Sequence, residues 1–475
     1  MNPARNADTA AERIDRANFL LSQHRYGTEP HEQGYGMLVE LADAPGGAWA
    51  QWLLGAYHLQ VVHRPGSLAN ALRCLRAAAT AGVPQAIERL ADLCLQGVAL
   101  PYSLDGAIEY LSVLAQGGHA PSAWQLAYLA DQDNAPDIGA SPATLLLRAC
   151  ALGFPAAYYS LGWRCALGRG MARDPTLARA LLLRAADAGF RDAREAADAL
   201  TADAGPATAL LHARLRDNLA VAQSLLADLA RAGVGAEAAP VVAALETHFV
   251  SIGHPAFGLD GDGRACVDAA ASAQAPMRDP VELQWVSSSP RIGLMRRFAT
   301  REECAWLANR VADSLGPFHG AEDGAEFRGY FRPIRPLETD AVMRLLQRRA
   351  CLELGWSAAL LEPGAVLRYA TGHGATLHSD AFDQARLDTL LPDSGDPGGQ
   401  RLAVLSVCLQ APIRGGETEF PGIDLSLRME PGMAVVHDTL RGGRPDPAAR
   451  HRERDVLKGE KWLWRTALRA RPMFA

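Results

Sequence analysis

The sequence predicts a multidomain α and β protein: an N-terminal α-solenoid of helical hairpins followed by a C-terminal double-stranded β-helix, or jelly roll. Three observations carry that prediction. Glycines recur at Gly46, Gly82, Gly118, Gly153 and Gly189, at intervals of 36, 36, 35 and 36 residues. From about Pro290 onward, short apolar runs alternate with Gly and Pro turns. Between the two regions, Ser251 to Asp279 shift in composition to Gly, Asp, Ala and Pro. The expected organisation is helical repeats over residues 1–250, a linker over 251–279 and a β domain over 280–475.

Within the repeats, a small side chain follows each glycine by four residues (Ala50, Ala86, Ser122, Ala157, Ala193) and an apolar one by eight (Leu54, Leu90, Leu126, Leu161, Ala197). Second helices fall between the glycines, as at Ala71 to Ala81, Ala107 to Ala115 and Ala178 to Ala188. A period near 36 signals hairpins that bury their apolar stripes only against neighbours, and the small residues let helices approach closely. Leu181 to Gly189 and Ala157 to Gly162 resemble the Sel-one-like branch of the tetratricopeptide repeats, which implies protein partners on a concave face. Leu210 to Ala232 and Val241 to Phe249 read as further helices, broken at Gly233 to Pro240. Gly258 to Gly263 alternates acids like part of a calcium loop, but Arg264 and Ala265 follow where the loop continues, so a solvated linker is expected.

In the β region, Leu367 to Gly372 reads as a strand and turn, and Arg401 to Leu409 as a buried strand. Gly415 to Pro421 and Pro431 to Val436 are turn–strand units, and Arg450 to Trp462 reads as strand, turn, strand. The chemistry lies in His378-Ser379-Asp380. In an extended strand, side chains i and i+2 share a face, so His378 and Asp380 can grip one metal ion. Two imidazoles and one carboxylate on one face of an octahedral ion leave open positions, as non-haem Fe(II) requires. A lone His-x-Asp is expected roughly once by chance in a chain of this composition, so its context carries the argument. On spacing alone, His437 and His451 compete for the third ligand position. Zinc is disfavoured because no cysteine sits at a ligand-like spacing from the histidines.

From about Pro290 to the end, the chain resembles the prolyl 4-hydroxylase family of Fe(II)- and 2-oxoglutarate-dependent dioxygenases. The matching residues are Cys304, Tyr369, His378 and Asp380, Gly-Gly-x-Thr-x-Phe-Pro from Gly415, and His451 ten residues before Lys461. The resemblance implies His378, Asp380 and His451 as metal ligands, with Val456 and Gly459 at the offsets that favour His451 over His437. It also implies that Lys461 pairs with the distal carboxylate of 2-oxoglutarate and that Tyr369 contacts the cosubstrate. O2 is the expected oxidant, and the resemblance admits ascorbate. Thr418 and Arg401 are read as structural. Two positions depart from the pattern. Ala375 stands where an aromatic residue is usual, and Cys408 where a tyrosine is usual, so substrate choice is not inherited from collagen-type enzymes.

The expected function is hydroxylation of a protein or peptide side chain, proline among the candidates, with the repeats binding substrate or partners. Two alternatives are a non-catalytic adaptor with a degenerate oxygenase domain and an oxygenase acting on a small molecule. The net charge of −6 gives no reason to expect a nucleic-acid or anionic-membrane partner. No apolar run approaches the length of a spanning helix, and the N-terminal residues lack the apolar core of a secretory signal. The 8 cysteines form neither a CxxC pair nor a disulfide framework, so buried thiols and a cytoplasmic location are expected.

Overall fold

The structure, a computed structural model, describes residues 9–200 and 281–472, apart from 25–26, 61–65, 133–134, 137, 169–173, 323–324, 384–386 and 388–397. The helices expected at Leu210 to Ala232 and Val241 to Phe249, the 251–279 linker with its acidic Gly258 to Gly263, and Cys266 lie outside the described residues.

The chain has N-terminal helical repeats and a C-terminal curled antiparallel sheet, in two compact units. The first ends at Ser103 and holds α1 (Ala10–Gln23), α2 (Glu29–Asp43), α3 (Ala48–Gln60), α4 (Ser67–Thr80) and α5 (Pro84–Gln96). The second runs from Leu104 to Met473 and begins with α6 (Leu104–Gln116), α7 (Ala120–Ala130), α8 (Pro142–Ala151), α9 (Pro155–Leu167), α10 (Pro175–Asp187) and α11 (Ala193–Ala199).

The five periodic glycines all occupy left-handed backbone, with φ from 78° to 86°. Each lies in the turn that joins one helix to the next, and a side chain in that conformation is strained. The residues four positions later, Ala50, Ala86, Ser122, Ala157 and Ala193, are all completely buried. At Gly162 in α9, an added Cβ would lie 2.9 Å from Leu182 Cγ and 3.2 Å from the Ala178 carbonyl, so α10 passes against bare backbone. The repeat period is thus a packing period.

Among the described residues, the second unit continues with sixteen strands and two longer helices. The strands are β1 (Glu282–Ser288), β2 (Arg291–Arg296), β3 (Gly316–Glu322), β4 (Ala325–Pro333), β5 (Ala365–Tyr369), β6 (Gly374–His378), β7 (Arg401–Gln410) and β8 (Arg414–Gly415). They continue with β9 (Thr418–Phe420), β10 (Leu425–Leu427), β11 (Ala434–Asp438), β12 (Leu440–Arg441), β13 (Arg444–Pro445), β14 (His451–Glu453), β15 (Val456–Lys458) and β16 (Lys461–Arg469). The helices are α12 (Arg301–Val311) and α13 (Ala341–Leu354). The main sheet has the order β1-β2-β11-β7-β16-β5-β4-β6-β14-β9-β10, with β3 on β4, and β12-β13 and β8-β15 form separate pairs. Curling brings distant members of this order together. His437 of β11 and His451 of β14 are six strand positions apart, yet their rings are 4.9 Å apart, centroid to centroid.

The last repeats pack directly on the β domain within the second unit. Glu303, in the first turn of α12 and in a capping box with Thr300, is almost fully buried. Its carboxylate accepts from Arg349 of α13 at 2.9 Å through each oxygen and from the Tyr128 hydroxyl of α7 at 2.7 Å. Such a buried charge is tolerable only when paired and fully hydrogen-bonded. Arg191, beside α11, donates to Glu460 at 2.8 Å and lies over the Trp462 ring. Cys74, Cys150, Cys304 and Cys408 are buried thiols. No helix among the described residues is long and apolar enough to cross a membrane.

Candidate metal centre

His378 ends β6 and His451 begins β14, and the two residues are direct partners in the antiparallel register. Their rings stand 4.3 Å apart. Asp380 lies beyond the strand rather than in it, as a correction to the extended reading of the triplet. The chain bends after Ser379, whose hydroxyl accepts from the Ala381 amide at 3.2 Å. The carboxylate nonetheless reaches the same point, and one donor atom from each of His378, Asp380 and His451 lies within 4.8 Å of the others.

The two imidazoles are oriented by backbone. His378 Nδ1 is 2.8 Å from the Thr376 carbonyl and His451 Nδ1 is 3.4 Å from that of Ala449. Such contacts fix the tautomer that keeps Nε2 unprotonated, the usual arrangement behind a metal-binding histidine. Burial, reinforced by the neighbouring His378, pushes the His451 imidazole well below its usual pKa and keeps it neutral. Burial acts to raise Asp380, but Arg465, with His451 and His437, overcomes it and holds the carboxyl well below the usual range. Arg465 Nη2 is 2.5 Å from Asp380 Oδ1. Among the described residues the other oxygen, Oδ2, is buried and makes no well-formed hydrogen bond, though it lies 3.2 Å from His437 Nε2 and 3.7 Å from His451 Nε2. A buried carboxylate oxygen left unpaired is costly, and a cation held jointly with two imidazoles would satisfy it. The residues therefore fit a divalent metal of the non-haem iron kind.

His437 also faces this point. It is buried, its Nε2 is 3.2 Å from Asp380 Oδ2, and it packs edge-on to Phe420, which also lies against His451. His437 is not part of the converging donor set. His451 and His437 are buried, whereas His378 is half-buried.

Tyr369 and Lys461 are register partners on β5 and β16, and both are buried. Burial and then the Glu453 carboxylate push the Tyr369 hydroxyl well above its usual pKa, with Asp380 adding to the effect against Arg465. Lys461 is not left free for a ligand. Its ammonium donates to the Gly416 carbonyl at 2.7 Å, Thr418 Oγ1 at 2.9 Å and Glu453 Oε2 at 2.5 Å. Those contacts use all the donors an ammonium has. Arg401 is turned to Glu362 in a two-point ion pair, whereas Thr418 also donates to Glu453 at 2.9 Å.

Two residues at the site were missed in the sequence, Glu453 and Arg465. The signal was available, since Glu453 lies two residues after His451 and Arg465 lies four after Lys461, each on the inward face of its strand.

No protein-family model and no curated protein matches the chain. Among solved structures, it is similar to a viral collagen prolyl hydroxylase from Paramecium bursaria Chlorella virus 1, crystallised as a 2OG complex. That similarity is 23% identity over 38% of this chain and 96% of the other, with a TM-score of 0.31. It is also similar to a prolyl-4-hydroxylase from Pseudomonas putida, at 18% identity over 38% and 92% of the two chains and a TM-score of 0.27. A Sel1 repeat protein from Oxalobacter formigenes is 22% identical over 52% of this chain and 74% of its own, with a TM-score of 0.34.

Proposed function

We propose that this chain is an Fe(II)-dependent oxygenase that uses a 2-oxo acid as cosubstrate and hydroxylates a side chain of a protein or peptide, proline among the candidates. The observation that carries the reading is the convergence of one donor atom each from His378, Asp380 and His451 within 4.8 Å, around a buried carboxylate. His378, Asp380 and His451 would hold the metal, and bound iron would supply the oxidation of an unactivated C–H bond with O2. The remaining work belongs to this chain's own groups. The Thr376 and Ala449 carbonyls aim the imidazoles, Arg465 anchors Asp380, and the buried Phe420 ring packs against His451. The half-buried side at His378 is where a substrate side chain would enter. The helical repeats would bind the protein that carries it.

Of the expected 2-oxoglutarate, the far carboxylate does not fit the residues as they stand, because Lys461 is already saturated by Glu453, Thr418 and Gly416. Anaerobic titration with Fe(II) tests the metal, and mass spectrometry of peptides incubated with the iron-loaded protein and a 2-oxo acid tests the reaction. Absence of metal binding by the folded protein would favour the adaptor reading, and oxidation of small molecules alone would favour the third.

A further inference from the structure

Glu453 occupies the centre of a three-strand ladder. On one side it is the register partner of Ala375 in β6, and on the other that of Thr418 in β9. A register shift between β14 and β6 places His451 opposite His378 and Glu453 opposite Ala375, so two residues of β14 span three of β6. The extra residue of this bulge keeps both Ala375 and His378 on the inner face despite their odd spacing. Ala375 ends at Cβ, which leaves its neighbour's longer side chain room to lie along the interior. Glu453 uses that room to reach across the barrel to β16, where its Oε2 meets the Lys461 ammonium at 2.5 Å. Thr418 closes the circuit by accepting from Lys461 and donating to Glu453. Buried Cys408 senses the same charges: burial pushes its thiol up to about 12, with Lys461 opposing and Glu453 adding.

The pair as a whole is neutral, and both members are buried. A second carboxylate arriving from a ligand at Lys461 would meet an ammonium already paired, and it would place two negative charges on that one ammonium. Displacing Glu453 instead would strand a buried carboxylate, which costs about a hundredfold or more in affinity.

We propose that Glu453 is a specificity-determining residue that takes the place of a cosubstrate's second carboxylate, so that the site accepts a 2-oxo acid with an uncharged far end in preference to 2-oxoglutarate. The proposal rests on the oxygenase reading above and names the cosubstrate class for it.

The test measures binding rather than turnover. The full-length protein is loaded anaerobically with Co(II), and the ligand-field spectrum is followed during titration with 2-oxoglutarate or 2-oxopentanoate. The latter carries a methyl group in place of the second carboxylate. Wild type is expected to bind 2-oxopentanoate about tenfold or more tighter. Glu453→Gln keeps the shape and removes the charge, and Glu453→Ala opens the space. Both are expected to tighten 2-oxoglutarate by about ten- to a hundredfold while changing 2-oxopentanoate little. Preference of wild type for 2-oxoglutarate would overturn the inference and leave the oxygenase reading standing, whatever the variants do. Unchanged 2-oxoglutarate affinity in both variants, with Co(II) binding retained as evidence of folding, would also overturn it. Failure of both acids to bind Co(II)-loaded wild type, or of wild type to bind Co(II), would remove the cosubstrate reading and the inference together.

Discussion

The indoles of Trp124 and Trp306 stack with centroids 4.1 Å apart and planes 24° apart, joining α7 of the repeats to α12 of the β domain. Phe154 packs edge-on to Trp124, and the Trp306 indole N–H donates to Asp340 Oδ2 at 2.8 Å. Both indoles are buried. A repeat region that merely hung from a linker would leave this surface wet. Here the hairpins from α6 onward share a core with the β domain.

That sharing predicts a single cooperative transition for the second unit. Trp306→Ala should lower stability by about 3–5 kcal/mol, the usual cost of emptying a buried aromatic site. Arg349→Ala should cost a similar about 3–5 kcal/mol, because it strands buried Glu303. Chemical denaturation followed by far-UV circular dichroism and by tryptophan fluorescence checks both, and the two probes should stay coincident in wild type.

Metal binding should separate the histidines. His378→Ala, Asp380→Ala and His451→Ala should each abolish tight Co(II) or Mn(II) binding. His437→Ala should weaken it by only about ten- to a hundredfold, the range for groups that orient a ligand. Calorimetric titration of the four variants decides it, and a His437 variant as defective as the others would give His437 a direct ligand role.

Glu460 links Arg191 of the repeats to Arg368 of β5, and the Trp462 indole also donates to it. Burial acts to raise its pKa, but Arg368, Trp462 and Arg191 lower it below the usual value. A depressed folded pKa stabilises the fold above the unfolded carboxyl pKa, and that contribution is lost as pH falls through the folded value. Glu460→Gln should therefore be less stable than wild type at neutral pH and lose less stability on acidification below about pH 4.5. Parallel urea curves at descending pH measure the difference.

At Gly162, alanine gains helix propensity of about 1 kcal/mol. Its methyl group would nevertheless be 2.9 Å from Leu182 Cγ and 3.2 Å from the Ala178 carbonyl. Neither atom is a free chain end, so overpacking of about 1–3 kcal/mol should prevail. Gly162→Ala is expected to lower the melting temperature, whereas a substitution at exposed Glu109 should leave it nearly unchanged.

Much of this was legible in the chain because it depends on local geometry. Gly46, Gly82, Gly118, Gly153 and Gly189 mark turns that adopt left-handed backbone, and the small residue four positions on is completely buried. Both constraints act within one hairpin, so they recur as a sequence period. The conjunction of His378, Asp380 and His451 was legible for a related reason: few donor sets suit a metal, and their spacing survives as a pattern. The Ser379 bend was not, because a single hydroxyl contact decides whether a strand continues.

What the sequence by itself determined is which donor residues it carries and which segments favour helix or strand, since backbone sterics and side-chain period act over a few residues. Tertiary structure alone decided who partners whom. The curl of the sheet put His437 of β11 beside His451 of β14. The bulge opposite β14 turned Ala375 inward and gave Glu453 a path to Lys461. Charge pairing in a closed interior acts through distance, and residues on separate strands acquire their distances only when the sheet closes.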